Sequence, residues 1–243
     1  MEMTARHLSV ATVTTLVIGF VFAATVQAQR TETIDPTRFE DSVQAFERKD
    51  SKVMPPTGAI VITGSSSIRR WHPSMQEDLA PLTVIPRGFG GSTMADVLHF
   101  VDRLIIPYRP RAVVIYEGDN DTGRFRVPPA TIASELKQIV SKIHATLPDT
   151  RIYVMSVKPS LAREQVWDKA QATNTLYQDI VSSDTRLAYI DVATPFLRND
   201  GKVMNDIFVD DGLHLNQKGT KIWAATIKAA LIKHEANYET TND

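Results

Sequence analysis

Two segments of this sequence contain residue types and spacings that could support nucleophilic chemistry. Residues 64–67 are Gly-Ser-Ser-Ser, and a serine hydroxyl becomes a nucleophile when a neighbouring base removes its proton. Asp211 precedes His214 by three residues, so its carboxylate could orient one imidazole nitrogen and leave the other free as a general base. Both segments also have a structural interpretation, in which a serine and Asn216 act only as helix N-caps.

Two further loops carry groups that could stabilise an oxyanion. Residues 87–93 (Arg-Gly-Phe-Gly-Gly-Ser-Thr) cluster glycines, which let the backbone approach a ligand closely. This loop does not fit a dinucleotide-binding fingerprint, because Thr93 stands where a third small residue is needed. In the sequence Glu-Gly-Asp-Asn-Asp at 117–121, Asn120 offers an amide donor. Asp119 and Asp121 are alternative ligands for a hard cation, although the remaining calcium-loop spacing is missing.

The segments that must position these residues alternate between strand and helix patterns. Short apolar runs predict five strands, at 59–63, 82–85, 112–116, 152–157 and 187–192. Amphipathic stretches predict helices at 36–48, 67–79, 94–106, 132–147, 162–182 and 217–234. This alternation predicts a parallel sheet covered by helices on both faces. In such sheets functional residues collect beyond the carboxyl ends of the strands, which is where the candidate loops lie.

The composition excludes several classes of function. The 243 residues include 27 Lys and Arg against 28 Asp and Glu, so the chain lacks the basic field that nucleic acid requires, and we expect no nucleic-acid partner. Cysteine is absent, which excludes disulfides, thiol nucleophiles and thiolate-bound metal centres.

Residues 1–28 have the pattern of a secretory signal peptide. A weakly basic start at 6–7 precedes an apolar stretch at 8–24, and Val-Gln-Ala ending at Ala28 suits a signal peptidase. We therefore predict cleavage near Ala28, a periplasmic or secreted location and no stable membrane insertion after cleavage. The absence of cysteine favours the bacterial periplasm. The alternative is an N-terminal membrane anchor, because the apolar stretch approaches the length that spans a bilayer.

The four candidate segments together resemble the four sequence blocks of the SGNH hydrolases, also called GDSL esterases/lipases. The resemblance covers about residues 58–231, nearly all of the chain that would remain after cleavage. The blocks correspond to Gly-Asp-Ser-(Leu/Ile), an oxyanion glycine, Gly-x-Asn-Asp and Asp-x-x-His. They align with the family's functional residues at Ser66, Gly91, Asn120, Asp211 and His214.

One position departs from the family pattern. Ser65 stands where the family has an aspartate before the nucleophile. That aspartate is not a member of the family's triad, so we expect activity without it. Three consecutive serines leave Ser65 and Ser67 as alternatives to Ser66 as the nucleophile.

The resemblance implies a serine esterase that hydrolyses carboxylic esters of acyl or acetyl groups, and the pattern of residues 1–28 predicts that it is exported. Ser66 would attack the ester carbonyl after His214 takes its proton, with Asp211 holding the imidazole in the required tautomer. The backbone N–H groups of Ser66 and Gly91, together with the Asn120 amide, would form the oxyanion hole. The mechanism needs no metal and no organic cofactor.

We therefore expect a three-layer α/β/α fold with a flavodoxin-like central parallel sheet of five strands. The expected organisation is a signal peptide at 1–28, a polar and helical extension at 29–57, an SGNH hydrolase domain at 58–236 and a polar tail at 237–243.

The expected substrate is a small-molecule or glycan ester. The loops at 122–129 and 197–209 are expected to shape the pocket, and they contain no long apolar lid. A small or polar substrate is thus favoured over a long-chain triglyceride. Two alternatives are a periplasmic O-acyltransferase acting on a glycan and a catalytically silent carbohydrate-binding module with the same fold.

Overall fold

A parallel sheet of five strands forms the centre of the protein. The computed structural model describes residues 35–239. Its strands are Ile60–Gly64 (β1), Val84–Gly88 (β2), Ala112–Tyr116 (β3), Arg151–Met155 (β4) and Leu187–Ile190 (β5). They lie in the order β2-β1-β3-β4-β5, and all neighbours are parallel. The predicted three-layer fold with a flavodoxin-like five-stranded sheet is confirmed.

Helices cover both faces of the sheet. They are Glu40–Asp50 (α1), Ser66–Leu79 (α2), Met94–Leu104 (α3), Asp119–Gly123 (α4), Pro129–Thr146 (α5), Trp167–Ser182 (α6) and Gln217–Glu235 (α7). Short 3-10 helices lie at Pro36–Phe39, Ile106–Tyr108, Leu161–Val166, Thr194–Phe196 and Ala236–Tyr238. One core cluster includes Met75 of α2 and Trp223 of α7, and the other includes Phe100 of α3 and Leu136 of α5. Burial on both faces explains why β1 and β3 are almost continuously apolar.

Two segments differ from the sequence-based expectation. The helix expected at 162–182 begins only at Trp167, because Arg163 leaves the helical conformation (φ −126°, ψ 20°) inside a preceding 3-10 segment. The segment at 117–121, expected from the sequence to be a loop, includes the first three residues of the short helix α4. The Asp121 carboxylate stabilises its first turn by accepting the Gly118 N–H at 2.9 Å.

The ends of the chain are only partly described. The predicted signal peptide at 1–28 lies outside the described residues. Helix α1 falls within the expected extension at 29–57 and belongs to the same compact unit as the sheet, where its Val43 is fully buried. Whether the hydrolase domain starts at residue 58 stays a prediction. Within residues 35–239, none of the helices combines the length and apolar character needed to cross a bilayer.

Gly64 permits the sharp turn between β1 and α2. Its φ is +146°, and a Cβ at this position would lie 2.3 Å from the Tyr116 carbonyl oxygen. We expect Gly64→Ala to lower the free energy of unfolding by about 3 kcal/mol, because a steric clash adds to backbone strain. Gly201→Ala is the control, since φ there is +78° with no atom within 4 Å of the Cβ, and a loss of about 1 kcal/mol is expected. Urea unfolding followed by circular dichroism measures both, and equal losses would contradict the steric argument.

Candidate active site

The first turn of α2 brings Ser66 against His214. The His214 Nε2 atom lies 2.9 Å from Ser66 Oγ, and Nδ1 lies 2.6 Å from Asp211 Oδ2. With Nδ1–H donated to the carboxylate, Nε2 is left to accept the Ser66 hydroxyl proton. The three side chains thus form a continuous hydrogen-bonded path along which the serine could lose its proton.

The turn before α7 holds the histidine in this orientation. Asp211 Oδ1 accepts the backbone N–H groups of Leu213 at 2.8 Å and His214 at 2.9 Å. Burial raises the pKa of Asp211, but hydrogen bonds from the His214 ring and from these two N–H groups outweigh it. The pKa of Asp211 therefore lies well below its usual range, and a charged carboxylate favours the Nδ1–H tautomer of His214.

The three consecutive serines occupy different environments. Ser65 is 1% exposed, and its N–H donates to Tyr116 O at the end of β3. Ser67 lines a cavity of about 370 Å³ between α2 and α7. Within the described part of the chain, Ser66 is the serine whose hydroxyl lies within hydrogen-bond distance of His214.

The glycine loop after β2 passes beside Ser66. A Cβ at Gly90 would lie 3.9 Å from the Ser66 Cβ, and the next residue, Gly91, has φ +91°, which favours glycine. Ser66 N–H is in the first turn of α2, where backbone donors lack intrahelical acceptors. Among residues 35–239 the Gly91 N–H also has no hydrogen-bond acceptor. Two backbone donors therefore remain available near the serine.

Helix α4 places the Asn120 amide against the same loop. Its Nδ2 donates to Ser92 O at 2.9 Å, and its Oδ1 accepts from Arg163 Nη2 at 2.8 Å. The second N–H of the amide has no acceptor in the described residues. Because β1 and β3 are neighbours at the point where the strand order reverses, the Ser66 and Asn120 segments meet at one edge of the sheet.

Asp119 and Asp121, considered above as cation ligands, are engaged by protein groups. Asp119 pairs with Arg163 Nη1 at 2.5 Å and with Lys158 Nζ at 3.5 Å. Asp121 accepts the backbone N–H groups of Met94 and Gly118, both at 2.9 Å. No group of histidine, aspartate and glutamate in residues 35–239 is arranged to hold a metal ion.

The buried side chain of Glu117 contacts the glycine loop from behind, a role that sequence reasoning did not identify. Its Oε1 lies 2.5 Å from Ser92 Oγ. Burial raises the pKa of Glu117 well above its usual range, and the Asp121 carboxylate acts in the same direction. Its position directly after a buried strand of a parallel sheet was the available signal.

Lys158 and Arg163 were also missed, and both follow β4. The Lys158 side chain is fully buried, and its Nζ donates to Leu213 O at 2.9 Å, next to His214. Arg163 contacts Asp119 and Asn120. The rule that residues beyond strand ends contribute to the site applies to this loop as well.

His72, although close to the active edge, has a structural role. Its Nε2 accepts the Gly88 N–H at 3.0 Å, at the end of β2. Burial, with the charges of Arg69 and Arg87, lowers the pKa of His72 to about 4, so the imidazole is neutral and can accept this hydrogen bond.

Comparisons with solved structures agree with this fold. A GDSL-like lipase from Bacteroides thetaiotaomicron is 19% identical, covers 79% of this chain and 97% of its own, and superposes with a TM-score of 0.66. A lipase/acylhydrolase from Enterococcus faecalis is 19% identical, with coverages of 71% and 95% and a TM-score of 0.60. A carbohydrate esterase family 3 protein from Talaromyces cellulolyticus is 19% identical, with coverages of 72% and 97% and a TM-score of 0.59. At these identities the likeness shows the fold alone.

The family itself is shown by the sequence. No curated protein matches the chain. A profile of the GDSL-like Lipase/Acylhydrolase family, however, matches residues 52–222, which is most of the chain and includes the segments of Ser66, Gly91, Asn120 and His214. The resemblance stated from the four sequence blocks is thereby confirmed, and the chain belongs to the GDSL-like lipase/acylhydrolase family.

Proposed function

We propose that this family member is a serine esterase that hydrolyses carboxylic esters. The observation that carries the proposal is the hydrogen-bonded path from Ser66 Oγ through His214 to Asp211, with distances of 2.9 and 2.6 Å. This is the arrangement in which a neutral imidazole removes a proton from a serine and a carboxylate stabilises the resulting imidazolium.

In the first half of the reaction, Ser66 Oγ forms a bond to the ester carbonyl carbon while its proton moves to His214 Nε2. The tetrahedral intermediate carries negative charge on the former carbonyl oxygen. Collapse breaks the bond to the alcohol oxygen, which takes the proton from His214 and leaves. An acyl-enzyme ester on Ser66 remains.

In the second half, water attacks the acyl carbon while His214 Nε2 takes one of its protons. Collapse breaks the bond to Ser66 Oγ, which recovers the proton from His214, and a carboxylic acid is released. Asp211 remains charged throughout and stabilises the imidazolium form of His214 in both halves.

Three donors would stabilise the oxyanion in both tetrahedral intermediates. They are the backbone N–H groups of Ser66 and Gly91 and the uncommitted N–H of the Asn120 amide. The support for this role is that the described residues provide no acceptor for the Gly91 donor or for the second amide N–H. Loss of one such donor typically lowers kcat by about 10²–10³.

The proposed substrates carry small or polar acyl and alcohol groups, such as acetylated glycans. Within the described residues the exposed large hydrophobic side chains are Val53, Met54, Leu161 and Tyr238. Of these, Leu161 contacts the turn at residues 211–214, the histidine turn, where its Cβ lies 3.2 Å from a Cβ built on Gly212. One leucine offers little apolar area to a long acyl chain. A protein named as a carbohydrate esterase has this fold, so a glycan ester is compatible with it.

Export is proposed from the sequence pattern of residues 1–28, with the mature enzyme acting in the periplasm or outside the cell. The glycan O-acyltransferase alternative is not favoured, since the family to which the chain belongs is one of lipases and acylhydrolases. The family match likewise favours a hydrolase over a binding module without activity.

An ester series with a serine-directed label tests the proposal. The purified protein is expected to hydrolyse p-nitrophenyl acetate and butyrate faster than the decanoate, because the described surface provides little apolar support for ten carbons. A p-nitrophenyl phosphonate should abolish turnover and leave one adduct, which mass mapping would place on Ser66. An adduct on Ser65 or Ser67 would assign the role of nucleophile to that serine in place of Ser66. Absence of both turnover and adduct in folded protein would refute the esterase assignment.

A further inference from the structure

The loop after β4 contacts both halves of the candidate site. Its residues 158–163 reach Asn120 on one side and the turn that carries His214 on the other. We propose that Arg163 and Lys158, joined through Asp119, are positioning residues that hold the Asn120 amide and the His214 turn in place for ester hydrolysis. This proposal rests on the proposed esterase function.

Arg163 determines which way the Asn120 amide faces. A guanidinium group can only donate hydrogen bonds, so the amide atom 2.8 Å from Arg163 Nη2 must be the oxygen. On the other side, the Ser92 carbonyl can only accept, so the atom 2.9 Å away must be the nitrogen. An obligate donor and an obligate acceptor therefore fix the amide. A rotated amide would direct an oxygen, in place of an N–H, toward a developing oxyanion.

Arg163 is itself held in a defined position. Its Nη1 lies 2.5 Å from Asp119 Oδ1, and its side chain is 15% exposed. A Cβ at Gly123 would lie 2.4 Å from Arg163 Cδ, so the glycine at the end of α4 makes room for the arginine stem. The planar fork thus binds Asp119 and Asn120 at the same time in one fixed geometry, which the flexible point charge of a lysine does not provide.

Lys158 connects the same carboxylate to the histidine turn. Its ammonium group is fully buried, 2.9 Å from Leu213 O and 3.5 Å from Asp119 Oδ2. Burial lowers the pKa of Lys158, whereas Asp119 opposes this effect. Burial disfavours the charged form of Asp119 as well and so raises its pKa. The positive charges of Lys158 and Arg163 outweigh this effect, and the pKa of Asp119 falls below its usual value. Asp119 is therefore a charged carboxylate between two cations, and a network of this kind is costly to disrupt inside the protein.

A backbone contact reinforces this link. The Ala162 N–H donates to Gly212 O at 3.1 Å. The loop therefore binds the histidine turn at two consecutive carbonyl groups, those of Gly212 and Leu213. Both lie between Asp211 and His214, so a shift of this loop would change the approach of the imidazole to Ser66.

A double-mutant cycle tests the arginine. Arg163→Met should lower kcat roughly 10- to 100-fold with little change in KM, because the oxyanion donor is misoriented while substrate binding is retained. Asn120→Ala should lower kcat by about 10²–10³. The double variant should be no slower than Asn120→Ala alone, because Arg163 acts through that amide. Arg103→Met is the control, since it removes an arginine paired with Glu40 and Glu47 on α1, and kcat should stay within about 2-fold of wild type.

A conservative variant and a spectroscopic readout complete the arginine test. Arg163→Lys keeps a cation beside Asp119 but loses the fork, so its kcat should lie between those of wild type and Arg163→Met. If Arg163→Met does not fold, Arg163→Lys takes its place in the cycle. In ¹⁵N NMR spectra, the Asn120 side-chain amide, identified by its absence in Asn120→Ala, should shift in both Arg163 variants and remain in place in Arg103→Met.

The lysine is expected to act on the other half of the site. Lys158→Met should also lower kcat about 10-fold, but its effect should multiply with that of Asn120→Ala, because it acts through the histidine turn. Its rate of phosphonate labelling at Ser66 should fall, since that reaction needs the correctly placed base.

The outcomes separate this inference from the proposed function. If the wild type neither hydrolyses esters nor labels at Ser66, the esterase proposal fails. If the wild type is active and Asn120→Ala is impaired, wild-type kcat in the Arg163 variants overturns the positioning role. The positioning role would also be overturned if the fold-loss of kcat in the double variant equalled the product of the losses in Arg163→Met and Asn120→Ala. An unchanged Asn120 amide signal in the Arg163 variants would overturn it as well.

Discussion

Replacing Ser66 by alanine is expected to lower kcat for p-nitrophenyl acetate by a factor on the order of 10⁴–10⁶. The variant lacks the oxygen that would form the acyl-enzyme, so only catalysis by the oxyanion donors on direct attack by water remains. The fold should persist, because Ser66 is partly exposed in the first turn of α2 and its backbone is unaffected. Initial rates, corrected for contaminating esterase, test the expected loss of kcat. The thermal unfolding midpoint tests whether the fold persists.

The neighbouring serines provide matched controls. Ser67→Ala changes a side chain that lines the α2–α7 cavity, and we expect kcat within about 3-fold of wild type. Ser65→Ala removes a buried hydroxyl beside β3 and should affect stability more than kcat. If Ser66→Ala retained wild-type turnover while one of these controls lost it, the nucleophile would be that other serine.

Replacing His214 by alanine is expected to have an effect of similar size. The variant lacks the base that lies 2.9 Å from Ser66 Oγ, so acyl-enzyme formation should slow by about 10⁴–10⁶. The Ser66→Ala, His214→Ala double variant should be no slower than either single variant, because the two residues act as one unit. Stopped-flow measurement of p-nitrophenol release follows the acylation step directly.

The turn itself should survive the loss of the imidazole. Asp211 still accepts the backbone N–H groups of residues 213 and 214, and Lys158 still binds the Leu213 carbonyl. His234→Ala is the control, since His234 is exposed in the last turn of α7, and its rate should match wild type. Normal acylation by folded His214→Ala would exclude this histidine as the general base.

Much of the fold was predictable from local patterns. The strands β1 and β3 are apolar runs that are buried on both faces, as is typical of a parallel sheet between two helical layers. The helix α3 was recognisable by its apolar face, although its cap, in which Asp96 accepts the N–H and hydroxyl of Thr93, needed the structure. By contrast, the late start of α6 was not predictable, because Arg163 leaves the helical conformation to reach residues far away in sequence.

For the site, the sequence alone determined the residue types and the strand ends at which they stand. A serine after β1, glycines after β2, an asparagine after β3 and the Asp-x-x-His turn before α7 follow from local spacing and from resemblance to a family. Which of the three serines meets the histidine depends on tertiary packing, because that contact is set by the rotation of α2 about its axis relative to a residue 148 positions away. The same holds for Arg163 and Asn120, which are 43 positions apart. Local patterns report on backbone conformation and burial, whereas the hydrogen bonds that orient these side chains form only after the strand ends have come together.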